Sequence, residues 1–291
     1  MNAIEVALTG WMLPGGAESA AQFLLLGAAA AMIMGAAKAG FAGSIGMLST
    51  PMLIYACGGN SPLALGMMLP LLIVCDYVAI VYWRGKWDFR NVRLLLPGMF
   101  VGVAGGSVAL WLFLRLGQLS QGKDLTNASL NLTIGLIAVA FVLLQARRAL
   151  GGGLKAFRPG SWHGFVAGSA AGATSTLTHA AGPITTMFLL PQNMPKERYV
   201  ATCTLYYWIG NQVKLLPYLL LGQLNSQSLS GAAVLVPAVV AGALAGFFLH
   251  NRINQKWFNL IVYFLLGGIG AHLIVTSGHQ LWLLGGPPQA G

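Results

Sequence analysis

The sequence predicts an all-α, polytopic integral membrane protein. It is expected to consist of two inverted repeats of about five helical segments each, with broken or re-entrant helices at the centre. Three observations predict this class. Hydrophobic residues make up 56% of the chain against 8% charged, and mean hydropathy is +0.72, far from the averages of soluble domains. Twelve of the sixteen Lys and Arg fall in four short clusters between apolar runs: Arg84, Lys86, Arg90, Arg93; Arg147, Arg148, Lys155, Arg158; Lys196, Arg198; and Arg252, Lys256. That is positive-inside patterning, and with no interleaved aromatic platform for bases it argues against reading the net charge of +10 as nucleic-acid binding. Finally, the two halves match segment by segment.

In order, Met1 to Ala20 carries Glu5 and Glu18 but no Lys or Arg, so it lacks the basic region of a secretory signal and is expected to be retained. Ala20 to Ala37 is an apolar run interrupted at Lys38-Ala-Gly-Phe-Ala-Gly-Ser-Ile-Gly46 and resumed through Cys57, a first broken element. Pro62 to Trp83 is long enough to span, since about 20 residues cross the hydrocarbon, and it contains Asp76. Leu94 to Leu114 and Ala128 to Ala146 are further uncharged spans. Residues 147–160, glycine-rich and basic, read as a cytoplasmic linker inside a single membrane domain (1–291), between a first repeat at 20–146 and a second at 161–277.

The second half repeats the plan. Trp162 to Ala173 is short, a polar tip follows at Thr174 to Thr186, and Ile184 to Leu190 leads to a turn. Tyr199 to Leu221 spans with Lys214 inside, then Leu229 to Leu249 and Trp257 to Thr276. Pro51 and Pro183 close the two tips, and Pro62 and Pro195 open the next helices. Pro97 to Gly106 resembles Pro237 to Gly246, with a proline and two glycines at the same spacing. The loop after Trp83 is basic, whereas its counterpart after Leu221 is uncharged, so equivalent loops face opposite sides and both termini are expected outside.

Glycine and proline weaken the helical ladder at each tip, and in a bilayer the freed backbone groups must find protein, ligand or cavity water. Unpaired amides at a helix N-terminus carry partial positive charge and suit an anion where side chains are small. The candidate substrate-binding residues are Gly43, Ser44 and Gly46 in the first tip and Ser175, Thr176, Thr178, His179 and Gly182 in the second. Small residues also let helices pack closely, but glycines, hydroxyls and prolines at matched places in both halves favour a solute site. Lys38, Asp76 and Lys214 each cost on the order of 3 kcal/mol at the bilayer centre and need a partner or a task. Lys38 either offers its charge to an anion or snorkels to an interface. Lys214 either faces the solute or pairs with Asp76, which is a coupling candidate for a proton or cation, or a counter-charge. His179 reads as a substrate hydrogen-bond donor, and Asn211 as facing the tip. Tyr206, Tyr207, Trp208 and Tyr218 read as packing or interfacial groups.

The segments Lys38 to Pro51 and Ser175 to Pro183, the latter followed by Phe188-Leu-Leu-Pro-Gln192, resemble the two signature segments of the TauE/SafE family of sulfite-exporter-like permeases. Thr202 with Asn211, Lys214, Tyr218 and Leu221-Gly222 is similar to the stretch after the second signature, and the resemblance covers about Ala20 to His272. It implies transport of a small, sulfur-containing anion such as sulfite or a sulfonate across the bacterial inner membrane, driven by an ion gradient. The expected partners are that anion, a coupling proton or cation, and the bilayer. No catalytic residue, metal or cofactor is expected. Cys57, Cys75 and Cys203 lack ligand spacing and read as free, buried thiols. Two alternatives stand beside the transporter. One is an anion channel. The other is a membrane-embedded hydrolase using Ser175 and His179, for which no oxyanion motif, orienting acid or metal-ligand pair speaks.

Overall fold

Long apolar runs without breakers become helices, and their ends fall where a cap is available. The structure, a computed structural model, describes residues 20–41, 48–116, 122–150, 159–192, 194–250, 252 and 255–285. Among these residues there are ten α-helices, one short 3-10 turn (Leu190–Gln192) and no strand. The first half holds α1 (Ala20–Phe41), α2 (Ser49–Ala56), α3 (Ser61–Tyr82), α4 (Phe89–Leu116) and α5 (Gly122–Leu150). The second holds α6 (Ser161–Thr178), α7 (Gly182–Leu189), α8 (Lys196–Leu220), α9 (Ser226–Leu249) and α10 (Gln255–Gly285).

Four stretches, Ala20–Gly40, Ser61–Tyr82, Phe89–Arg115 and Ser226–Leu249, are long and apolar enough to cross a membrane. At 1.5 Å per residue even the shortest covers roughly 30 Å, the thickness of the hydrocarbon. Leu25, Val81, Leu220 and Phe264 lie outward and exposed, as side chains facing lipid do. The protein is thus an all-α, multi-pass membrane protein.

Caps explain several boundaries. Asn60 accepts from the Leu63 N–H at 3.1 Å and Asn225 from the Ser228 N–H at 2.9 Å, starting α3 and α9. Asp88 accepts from the Arg90 and Asn91 N–H groups, so α4 begins at Phe89, before the uncharged run that marks it in the sequence. Part of the expected linker at 147–160 is helix instead, because α5 continues to Leu150. Gln145-Ala-Arg-Arg-Ala-Leu150 is composed of strong helix formers, with no breaker before Gly151.

The most extensive contacts are α4 on α6, α9 on α1 and α5 on α10. Exchanging the two halves maps the first of these pairs onto the second and leaves the third, like α3 on α8, unchanged. The buried apolar residues divide in the same way. One cluster joins Met34 of α1, Leu53 of α2 and Met67 of α3 to Leu235 and Val239 of α9. The other joins Leu95 and Met99 of α4, Ala171 of α6 and Phe188 of α7 to Tyr206 of α8. Each lobe therefore borrows one helix from the other half. The candidate site lies in the seam between lobes.

The borrowed helices sit against their partners backbone to backbone. A Cβ on Gly98 or Gly102 of α4 would stand 2.0 Å from the carbonyl oxygen of Phe165 or Ser169 in α6. On the other side, a Cβ on Gly242 of α9 would stand 2.2 Å from the Met32 carbonyl oxygen in α1. Glycines in the matched segments Pro97 to Gly106 and Pro237 to Gly246 thus do equivalent packing work. Cys57, Cys75 and Cys203 are free and buried, as expected.

The end of α1, where its sequence turns glycine-rich, is held from two neighbouring helices. The Trp83 indole N–H donates to the Ala39 carbonyl at 2.9 Å, and the His250 Nδ1–H donates to the Gly40 carbonyl. The Lys196 ammonium in turn donates to the His250 carbonyl. Burial pushes the His250 imidazole below its ordinary value of 6.5, and the nearby Lys196 charge adds to this, while the Gly40 hydrogen bond and Glu197 oppose it. With the folded value depressed, the unfolded chain takes up the proton first. The stability that His250 contributes is therefore complete above about pH 6.5 and is lost as pH falls below it. The Tm of the wild type is expected to drop between about pH 7 and about pH 5, and His250→Gln should show a smaller drop in the same scan. Identical profiles would remove His250 from the acid response.

Candidate solute-binding site

The second tip is a break between two helices. α6 ends at Thr178 and α7 begins at Gly182, with His179 between them in the left-handed region at φ 54°. It is the one non-glycine residue with positive φ among the described residues, a conformation that costs a side-chain-bearing residue roughly 1–2 kcal/mol. Its surroundings hold it there. The His179 N–H bonds the Ser175 carbonyl at 3.0 Å, and the Ala180 N–H reaches back to Thr174 at 3.5 Å, closing the helix end.

The ring fixes the rest. A carbonyl can only accept, so His179 Nε2 carries the hydrogen that it donates to the Leu65 carbonyl at 3.1 Å. An ammonium can only donate, so Nδ1 accepts from Lys214 Nζ at 3.2 Å. The imidazole is therefore neutral, with both nitrogens committed to protein. In this conformation it is not the free donor to a solute expected from the sequence.

Lys214 finds two more acceptors, the Ser175 hydroxyl at 2.9 Å and the Ser175 carbonyl at 3.2 Å. Three acceptors match the three protons of an ammonium. All three are uncharged, and Lys214 is fully buried.

Asp76 lies across the seam. Its Oδ1 takes the Lys38 ammonium and its Oδ2 takes the Asn211 amide at 2.6 Å. One alternative for each lysine is thereby removed. Lys38 is buried and ion-paired rather than snorkelling, and Asp76 pairs with Lys38 rather than with Lys214. Lys214 instead points along α8 to the end of α6, which provides its acceptors. Asn211 faces the tip as expected.

These groups surround a cavity of ≈ 30 Å³. Met34 and Lys38 of α1 and Met68 and Leu72 of α3 form one wall. The other wall is made by Ser175, His179, Ala181 and Gly182 at the break, with Tyr207 and Asn211 of α8. That is roomy enough for ordered water among its polar groups. Gly182 brings the N-terminus of α7, with its unpaired amides, to the cavity.

Of the expected site residues, the structure brings Lys38, Ser175, His179, Gly182 and Asn211 to this cavity, with Asp76 and Lys214 bonded directly behind the lining. It does not bring Thr176 and Thr178 there. Their hydroxyls bond back to the Gly172 and Thr174 carbonyls, each at 2.9 Å. The Thr178 carbonyl accepts the Thr50 hydroxyl at 3.0 Å, tying α2 to the end of α6. Gly43, Ser44 and Gly46 lie outside the described residues. Tyr207 was read from sequence as packing, yet it lines the cavity, with the Lys38 ammonium 5.6 Å from its ring centre and its hydroxyl bonded to Thr185. Its signal was spacing: Tyr207, Asn211, Lys214 and Tyr218 recur at i, i+4, i+7 and i+11 on one face of α8.

The family model described as Sulfite exporter TauE/SafE matches residues 26–273, most of the chain and every element of the cavity. The chain belongs to this family. It is accordingly a membrane transporter, as the two signature segments implied. Comparison with curated proteins and comparison with solved structures each find no match.

Proposed function

We propose that the protein is a secondary transporter for a small anion, a sulfur oxyanion or organosulfonate such as sulfite or sulfoacetate. It works across the bacterial inner membrane by alternating access at the cavity between the lobes. The observation that carries this reading is Lys214, a fully buried lysine whose hydrogen-bond partners are all neutral, while the nearby Asp76 carboxylate is bonded to Lys38. Charge on a buried amine bonded only to neutral groups is costly, and an anion in the cavity compensates it.

Alternating access draws support from the exchange of helices between lobes, which lets two similar halves rock about one seam. Asp76 and Asn211 stand equally far from the first residues of α3 and α8, and they bond to each other at the seam, as residues near a pseudo-two-fold axis do. The uncharged loop after α8 against the basic loop after α3 favours inversion of the repeats, with both termini periplasmic. Asp76 is the coupling candidate. The hydrolase alternative needs His179 as the base on Ser175, yet its ring nitrogens meet the Leu65 carbonyl and Lys214 instead of the Ser175 hydroxyl.

Purified protein is expected to melt higher with sulfite, sulfoacetate or methanesulfonate. At a hundred times the dissociation constant the gain is about 2.7 kcal/mol, or roughly 5–10 °C at the usual conversion for a chain of this size. Lys214→Met should abolish the gain while remaining folded. Equal shifts in wild type and variant would place the anion elsewhere.

A further inference from the structure

The charge of the proposed anion site selects the valence of what it takes. Two buried lysines, Lys38 and Lys214, face one buried carboxylate, Asp76, around a cavity whose histidine is held neutral by its hydrogen bonds. With both lysines protonated, one positive charge is left over.

We propose that the site takes a singly charged anion alone and a doubly charged anion only together with one proton, which Asp76 receives. The inference rests on the anion-site reading above and names the substrate class within it. A monoanion seated in the cavity balances the surplus charge and leaves the Lys38–Asp76 pair intact. A dianion overshoots by one negative charge in a region where unbalanced charge is costly. The balance returns when a proton from water on the entry side forms an O–H bond on Asp76 Oδ1. That releases the Lys38 ammonium to the anion, while Oδ2 keeps its bond from Asn211.

The cavity geometry points the same way. Lys38 lines the cavity beside Asn211 and the helix break, so an anion seated there lies against the Lys38 side chain. Lys38 and Asp76 stand on neighbouring helices of one wall, and opening their contact frees the Lys38 ammonium toward the cavity. The titratable groups facing Asp76 are Lys38 from α1, Lys214 from α8 and Cys75 on its own helix, with His179 and Tyr207 on the opposite wall. His179 is the rival proton acceptor, disfavoured because protonating Nδ1 would cost its bond from Lys214.

Titration calorimetry of the whole purified protein separates these possibilities. The probes are methanesulfonate, which stays singly charged, and sulfate, which stays doubly charged, each measured in buffers of different ionisation heat. Methanesulfonate is expected to bind the wild type with pH-independent affinity and no proton uptake. Sulfate is expected to take up one proton and to weaken by about tenfold per pH unit as pH rises. In Asp76→Asn, sulfate should bind without proton uptake, and its affinity relative to methanesulfonate should rise at least tenfold at alkaline pH. Sulfate binding to the wild type without proton uptake overturns the proposal without any variant having to fold. Proton uptake that persists in Asp76→Asn overturns the assignment to Asp76 and moves it to His179. In both cases the anion site stands. If neither probe binds the wild type, the anion-site reading itself fails and this inference falls with it.

Discussion

Gly102→Ala is expected to lower stability by at least about 3 kcal/mol, while Gly105→Ala, three residues along the same helix, should stay within about 0.5 kcal/mol of wild type. The contrast comes from what each new methyl would meet. At Gly102 it would lie 2.0 Å from the Ser169 carbonyl oxygen, 2.8 Å from the carbonyl carbon and 2.9 Å from the Ala173 nitrogen. All three are backbone atoms of α6, so no side chain can swing aside and the helices must part. Parting them also opens the neighbouring contacts, since Gly98 meets Phe165 and Gly168 meets the Leu95 carbonyl oxygen at similar range. Dispersion falls off steeply with such gaps, and in a bilayer close packing carries much of the association between helices. A methyl at Gly105 would meet nothing within 4 Å. Melting curves of the detergent-purified variants, with size-exclusion profiles to report folding, decide the matter. Equal melting of the two alanine variants would mean that the α4–α6 contact is looser than its geometry states.

The glycine spacing behind that prediction was visible in the sequence as the match between Pro97 to Gly106 and Pro237 to Gly246, but the partners of those glycines were not. A glycine face says that something comes close without saying what. The break after Thr178 was equally visible, because Gly182 and Pro183 interrupt an apolar run. The left-handed backbone at His179 was hidden, since nothing local demands it of a histidine. Backbone bonds to Ser175 and Thr174 close that turn, while Lys214, distant in sequence, and Leu65 on another helix fix the ring. The pairing of Asp76 was hidden for a related reason. α1 and α3 are apolar on all sides, so they show no polar face to fix their rotation, and whether Lys38 or Lys214 reaches the carboxylate depends on that rotation. α8 does carry a phase, in its polar stripe from Tyr207 to Tyr218, and reading that stripe as a face would have placed Tyr207 in the site. The extension of α5 to Leu150 was obscured because basic clusters were read as loops, although arginine continues a helix readily.

Removing Asp76 alone should be far more damaging than removing Asp76 and Lys38 together. Asp76→Ala strands the Lys38 ammonium, which is buried and, among the described residues, otherwise bonds the Leu72 carbonyl at 3.5 Å and faces the ring of Tyr207. Breaking a buried pair from one side costs about 3–5 kcal/mol, because the surviving charge has lost its compensation. Replacing both partners by apolar residues of similar volume removes that penalty, so Lys38→Met with Asp76→Leu should recover to within about 1 kcal/mol of wild type. The Asn211 amide, which donates to Asp76, is left to find the cavity, and this limits the recovery. The cycle of wild type, Lys38→Met, Asp76→Leu and the double variant, measured as melting temperatures, should give a coupling energy of at least about 2 kcal/mol. Lys38→Met alone should cost less than Asp76→Ala, because Asp76 keeps Asn211 and the nearby Lys214 charge. Stability and anion response should then separate. The double variant is stable yet has lost the cation that an incoming anion exposes, so a sulfur anion should raise its melting temperature less than it raises that of the wild type. A double variant that is stable and responds to anion like wild type would show that the ion pair is a packing device and that Lys214 alone holds the solute. A double variant as unstable as Asp76→Ala would show that the seam needs its polar groups to hold the two lobes in register, whatever passes between them.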